Sequence, residues 1–144
     1  MRKRLCSTLG VFALSAVCAL AQTNANKRTI QVDVNYTGSG TVDASHRIYV
    51  ALWDSSDMSG GPPVAVLSLT SKKGAVTFSD VQRVPAYVSA ALDPKGAWDA
   101  QSPPPSGASL VMYSKNPPNP EPIDVAPGKT VKVAIMFDDS SKVP

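Results

Sequence analysis

Cysteine is confined to Cys6 and Cys18, histidine to His46 and glutamate to Glu121 in a chain of 144 residues. Each scarcity excludes a chemistry. Beyond residue 18 no thiol exists to form a disulfide or act as a nucleophile, and zinc or blue-copper sites, which need clustered His and Cys, have no ligand set. A Ser-His-Asp arrangement needs a base, and the single His46 falls immediately before an apolar alternation, where a surface position at a strand start is the simpler reading. Ten aspartates and Glu121 offer no spacing that singles out a carboxylate pair for glycoside cleavage. No enzyme is expected.

Basic runs and long apolar runs are also scarce, and both are confined to the first residues. MRKRLCSTLGVFALSAVCALA places Arg2, Lys3 and Arg4 ahead of an apolar segment and ends in Ala19-Leu20-Ala21, the small-x-small pattern of a secretory cleavage site. Leu5 to Ala21 is interrupted by Ser, Thr and Gly and is short for a bilayer span of about 20 residues. Residues 1–21 therefore read as a signal peptide and 22–144 as one exported domain, periplasmic or secreted, with no membrane span after cleavage. A lipoprotein reading at Cys18 is disfavoured by the bulky Val17 before it. Without the leader, the 14 Lys and Arg fall to eleven, facing eleven Asp and Glu. A neutral chain lacks the counterion-release drive for nucleic acid or anionic membranes, so neither is expected as a partner.

Helical periodicity is missing as well, whereas alternation is nearly everywhere. Ile30, Val32, Val34 and Tyr36 interleave with Thr29, Gln31, Asp33 and Asn35, the pattern of a half-buried strand. Arg47–Trp53 carries apolar residues on both faces, Ile48, Val50 and Leu52 against Tyr49, Ala51 and Trp53, which predicts a central strand covered on both sides. Val64–Leu69, Ala75–Phe78 and Ala86–Leu92 follow, separated by turn signals. Ile123–Val125, Ala126-Pro127-Gly128-Lys129 and the alternating Val131, Val133, Ile135 and Phe137 predict a closing hairpin. Seven of the thirteen prolines lie between Pro103 and Pro122, confining that region to loop or edge, with Ser109–Tyr113 its one ordered piece. About seven short strands without helix predict an all-β, antiparallel β-sandwich of immunoglobulin-like or transthyretin-like type.

Four stretches carry a resemblance: VNYTGSGTVDASHRIYVALWD (Val34–Asp54), VTFSDV (Val76–Val81), YVSAALDPKGAWD (Tyr87–Asp99) and PIDVAPGKTVKVAIMFDD (Pro122–Asp139). Together they resemble bacterial secreted modules of the prealbumin-like, carboxypeptidase-regulatory-like group. The resemblance implies a non-catalytic β-sandwich, found alone or appended to larger exported proteins. The hydroxyisourate-hydrolysing members of the wider group depend on several histidines and an Arg-bearing C-terminal motif, and this chain, ending SSKVP, has neither. In many relatives the segment after the tyrosine strand reads as a calcium loop, D-x-N-x-N-G-x-x-D. Here Asp93, Gly96 and Asp99 remain, with Pro94, Lys95 and Ala97 where oxygen ligands are needed.

The stretch LDPKGAWDAQSPPPSG, Leu92–Gly107, is the leading candidate site. A hard cation takes about six to eight oxygens, which Asp93 and Asp99 reach only with help from Asp54 and Asp57 or from Asp138 and Asp139. Solvated turn aspartates are the competing reading, so no cofactor is expected, with calcium as the alternative. Trp98, Trp53 and Tyr113 are candidate ligand contacts, since aromatic faces beside polar groups suit sugar rings. Their competing role is packing, Trp53 on the sandwich and Trp98 against Pro103–Pro105. The expectation is a monomeric binding or accessory module for an unidentified protein or glycan partner. The alternative is an assembly protein that pairs through an edge strand, in which case it would oligomerise with concentration.

Overall fold

The computed structural model describes residues 25–144, so the leader and its cleavage site lie outside the described residues. Seven strands run β1 (Thr29–Tyr36), β2 (Ile48–Trp53), β3 (Ala65–Leu69), β4 (Lys73–Ser79), β5 (Tyr87–Leu92), β6 (Ser109–Met112) and β7 (Thr130–Phe137), with one 3-10 turn at Met58–Gly60. They form two sheets, ordered β4-β1-β7 and β3-β2-β5-β6. This is the all-β two-layer sandwich expected from the alternation. No helix among the described residues is long and apolar enough to cross a membrane.

The alternation explains the layers. Ile30, Val32, Val34 and Tyr36 of β1 point inward beside Val76 and Phe78 of β4 and Val133, Ile135 and Phe137 of β7, all buried. Opposite them stand Ile48, Val50 and Leu52 of β2 and Val88, Ala90 and Leu92 of β5. Full burial of a side chain such as Ile30 or Ile48 contributes about 1.5–3 kcal/mol, and this shared apolar face holds a domain that has no disulfide. β2 is central, paired with β3 on one side and β5 on the other. Its outer face is covered too, by the loop after β5, which accounts for apolar residues on both faces of the strand.

Two expectations need correction. The chain does not close with a hairpin. Ala126–Lys129 does turn, with Lys129 N–H donating to the Ala126 carbonyl at 3.1 Å and Gly128 at φ 74°. The segment before it, however, pairs with the other sheet, where Ile123 and Ala86 exchange backbone hydrogen bonds. The sandwich is also not wholly antiparallel. β7 lies parallel to β1, from Thr29 beside Thr130 to Tyr36 beside Phe137. A turn signal fixes a local reversal of the chain but not which sheet each flank joins, and here the flanks join different sheets.

Candidate functional site

β5 ends at Leu92, and the candidate loop begins there by folding around one carboxylate. Asp93 is 2% exposed. One of its oxygens accepts from Lys95 N–H at 2.8 Å, and the other from Ala97 and Trp98 N–H at 2.8 and 2.9 Å. Burial pushes the Asp93 carboxyl upward, but the three amides outweigh it and leave the group below its ordinary value. Gly96 sits at φ 68°, and a Cβ there would stand 2.6 Å from the Ser45 carbonyl oxygen. This close approach seats the loop on the Asp43–His46 turn, where Asp43 accepts from the Ser45 and His46 amides and lies 3.0 Å from His46 Nδ1.

Asp99 closes the next turn in the same way. Its Oδ1 accepts from Gln101 N–H at 2.9 Å, Ser102 N–H at 3.3 Å and Ser102 Oγ at 3.1 Å, and these bonds hold its carboxyl below the ordinary value. Between the two aspartates Trp98 turns back over the sheet. Its Nε1–H donates to the Ser102 carbonyl at 2.9 Å, and its ring meets Tyr49 edge-on at 5.2 Å. With Ala100 and Pro104 it packs on the outer side of β2 and β5, leaving a gap of only about 20 Å³. Trp53 is pinned in the same layer, Nε1–H donating to Ser89 Oγ at 2.9 Å.

The donor set does not fit a hard cation. Asp93 spends both oxygens on the loop's own amides and Asp99 its Oδ1 on two amides and the Ser102 hydroxyl, Asp54 pairs with Arg83 at 2.6 Å, and Asp57 accepts from Ser59 N–H and Oγ at 2.8 and 2.6 Å. Asp139 is engaged elsewhere, and among the described residues no three His, Cys, Asp or Glu side chains gather. The aromatic trio also divides. Trp53 and Trp98 share the covered layer, whereas Tyr113 lines a separate groove with Pro117 and Pro118 on the β6 side. Trp98 is therefore the anchor of the proline-bearing loop, the competing role anticipated for it.

This packing builds a groove that the sequence did not single out. Pro103 and Pro104 are brought opposite Pro62 and Pro63, with Trp53 and Met58 between them, around an open volume of about 800 Å³. Ser56, Asp57, Gln101 and Ser102 supply the polar rim. Asp57 Oδ2 and the Gln101 side-chain amide have no hydrogen-bond partner among the described residues. Proline fixes φ at Pro62, Pro63, Pro103 and Pro104, and the Trp53 indole is held by its bond to Ser89, which stiffens the lining of the groove. The Pro62-Pro63 dipeptide was the available signal, but nothing local says that it faces residues forty positions later.

A second feature escaped the sequence entirely. Tyr36 Oη–H donates to Asp139 Oδ1 at 2.5 Å and itself accepts from Gly40 N–H at 3.0 Å. Asp139 Oδ2 accepts from Ser39 N–H and Oγ at 2.8 and 2.9 Å, and Ser109 Oγ–H donates to Oδ1 at 2.9 Å. Led by the tyrosine hydrogen bond, these donors hold the Asp139 carboxyl far below the ordinary carboxylate range despite burial. Burial first, and then Asp139, raise the Tyr36 phenol. A Cβ at Gly38 would overlap the Tyr36 ring, so the loop must lack one there. One polar corner thus joins the ends of β1 and β7 to the start of β6. No family model, no curated protein and no solved structure matches this chain.

Proposed function

We propose that the protein is an exported, non-catalytic β-sandwich that acts as a binding or accessory module in the periplasm or outside the cell, with the Pro62-Pro63/Pro103-Pro104 groove as its ligand surface. The observation that carries this reading is the groove itself. Proline-bearing apolar walls flank an indole, and a carboxylate oxygen and an amide without partners among the described residues stand on the rim. Such a surface suits a ligand with an apolar face and vicinal polar groups, as a glycan ring has, and loops set on a rigid sandwich are where recognition residues concentrate. The leader pattern supports export, and the two-layer architecture agrees with what the prealbumin-like resemblance implies. The sparse general-base inventory supports a non-catalytic role, since His46 is tied into a turn with Asp43.

The test fills the groove without touching the core. Gln101→Trp places an indole at the rim, and the variant and the native protein are compared on a glycan array and in pull-downs from the envelope of the native cell. Loss of at least about tenfold in capture by Gln101→Trp is the expected outcome. Equal capture by both proteins would remove the groove from consideration.

A further inference from the structure

The hydrogen-bond inventory of the sheet edges singles out β7. The Thr29 N–H bond to the Lys129 carbonyl and the Thr37 N–H bond to the Phe137 carbonyl set the phase of the β1–β7 ladder, so odd-numbered residues of β7 face β1. The N–H and C=O groups of Thr130, Lys132, Ala134 and Met136 therefore face away, and none has a partner among the described residues. This is an eight-residue edge without proline, glycine or bulge, the kind of edge that templates another strand. Its flank is open as well, because Ala134, Ile135 and Met136 form one bank of a groove of about 440 Å³ whose other bank is β6 and Tyr113. Met136 is 70% exposed.

The other edges are blunted. β6 has four residues, and the C-terminal segment covers its start, with Leu110 N–H donating to Ser141 and Val143 N–H to Ala108. β3 has five residues and follows Pro62-Pro63. β4 contains Gly74, its Lys73 carbonyl accepts the Ser71 hydroxyl, and its outward series Lys73, Ala75, Thr77, Ser79 brings no opposite charges together when paired with itself.

β7 is self-complementary. Laid antiparallel to a second copy about a two-fold axis at Ile135, it sets Lys132 opposite Asp138 of the second copy, and Ala134 opposite the exposed Met136, twice over. Lys132, Ala134 and Met136 belong to the set whose backbone groups point outward, so Ala134 and Met136 fall at hydrogen-bonded pairs of an antiparallel ladder, while Asp138 is the exposed residue just past the strand, its Oδ1 accepting from Ser140 N–H at 2.8 Å. We propose that the protein forms a two-fold dimer through antiparallel β7 pairing, fusing the three-stranded sheets of two copies into one six-stranded sheet. The occupant is a second copy because both charge pairs and both Met–Ala contacts come from the same short segment, as an isologous interface requires. The proposed dimer departs from the monomer expected from the sequence and does not depend on the groove ligand.

Sedimentation velocity on the purified protein, expressed from the full coding chain, tests this between about 1 μM and about 1 mM. A reversible monomer–dimer equilibrium is expected, and a protein that stays monomeric throughout would overturn the proposal. Ala134→Pro removes only an outward N–H, so it should keep the native circular dichroism and melting yet abolish the dimer. A dimer that survives this change would lie on another surface. Lys132→Asp and Asp138→Lys each set like charges opposite one another and should weaken self-association about tenfold. Mixed together, the two variants regain opposite charges at both pairs and should form a heterodimer, whereas no recovery on mixing would overturn the register.

Discussion

Asp93 and Asp139 each bind at least three donors through a carboxylate, and the resemblance ends there. Asp93 collects amides two, four and five residues along the chain and shapes one loop locally. Asp139 collects Tyr36, Ser39 and Ser109, which are 103, 100 and 30 residues away, and thereby fixes the relative placement of both sheets at one end. One carboxylate organises sequence neighbours, and the other ties distant segments together where the described residues hold no cysteine to do so. The lesson is that similar sets of hydrogen bonds carry unequal structural weight.

The largest expected effect breaks the long-range member of the pair. Asp139→Ala strands the buried Tyr36 hydroxyl and the Ser109 hydroxyl together and should lower unfolding free energy by about 2–4 kcal/mol, read from urea denaturation. Asp93→Asn, which keeps one acceptor oxygen but places an amide where Ala97 and Trp98 donate or where Lys95 donates, should cost less, about 1–2 kcal/mol. Its other signature is local, since hydrogen exchange should rise at Lys95–Trp98 while β1 and β7 stay protected.

The smallest effect sharpens the comparison through pH. Both carboxyls are depressed in the folded chain, so their stabilisation is fully present above the unfolded aspartate value of about 3.9 and is lost as pH falls toward the folded values. Tyr36 shifts in the opposite sense, so its contribution is present below the unfolded tyrosine value of about 10 and declines above it. Urea midpoints should therefore drop on acidification, with a shallower slope in Asp139→Asn than in Asp93→Asn. The reverse ranking would assign the stronger folded-state interaction to the loop.

The same contrast explains what could be read from sequence. β1, β2, β5 and β7 were legible because a buried face imposes a period of two on residues such as Ile30, Val32 and Val34. The Asp93–Asp99 turns were visible as Asp and Gly at short spacing, with a cation as the alternative, and the structure puts backbone amides on both carboxylates. The groove and the Tyr36–Asp139 corner were not legible, because each is made by residues thirty or more positions apart whose meeting depends on strand order. For the same reason Ala126–Lys129 looked like a hairpin turn. A turn dipeptide reports backbone geometry over four residues, and sheet membership is decided by what Ile123 and Val131 each find to bury against.

The parallel pairing of β1 with β7 also has a temporal side. Thr29 waits for Thr130 and Tyr36 for Phe137, so the middle strand of one layer stays half-laddered until about a hundred further residues have been made. Closing so large a loop before its contacts stabilise it makes folding slow and late. On the proposed export route that delay is useful. A chain unable to complete its sandwich early remains threadable, and it is β7 that locks β1 in place.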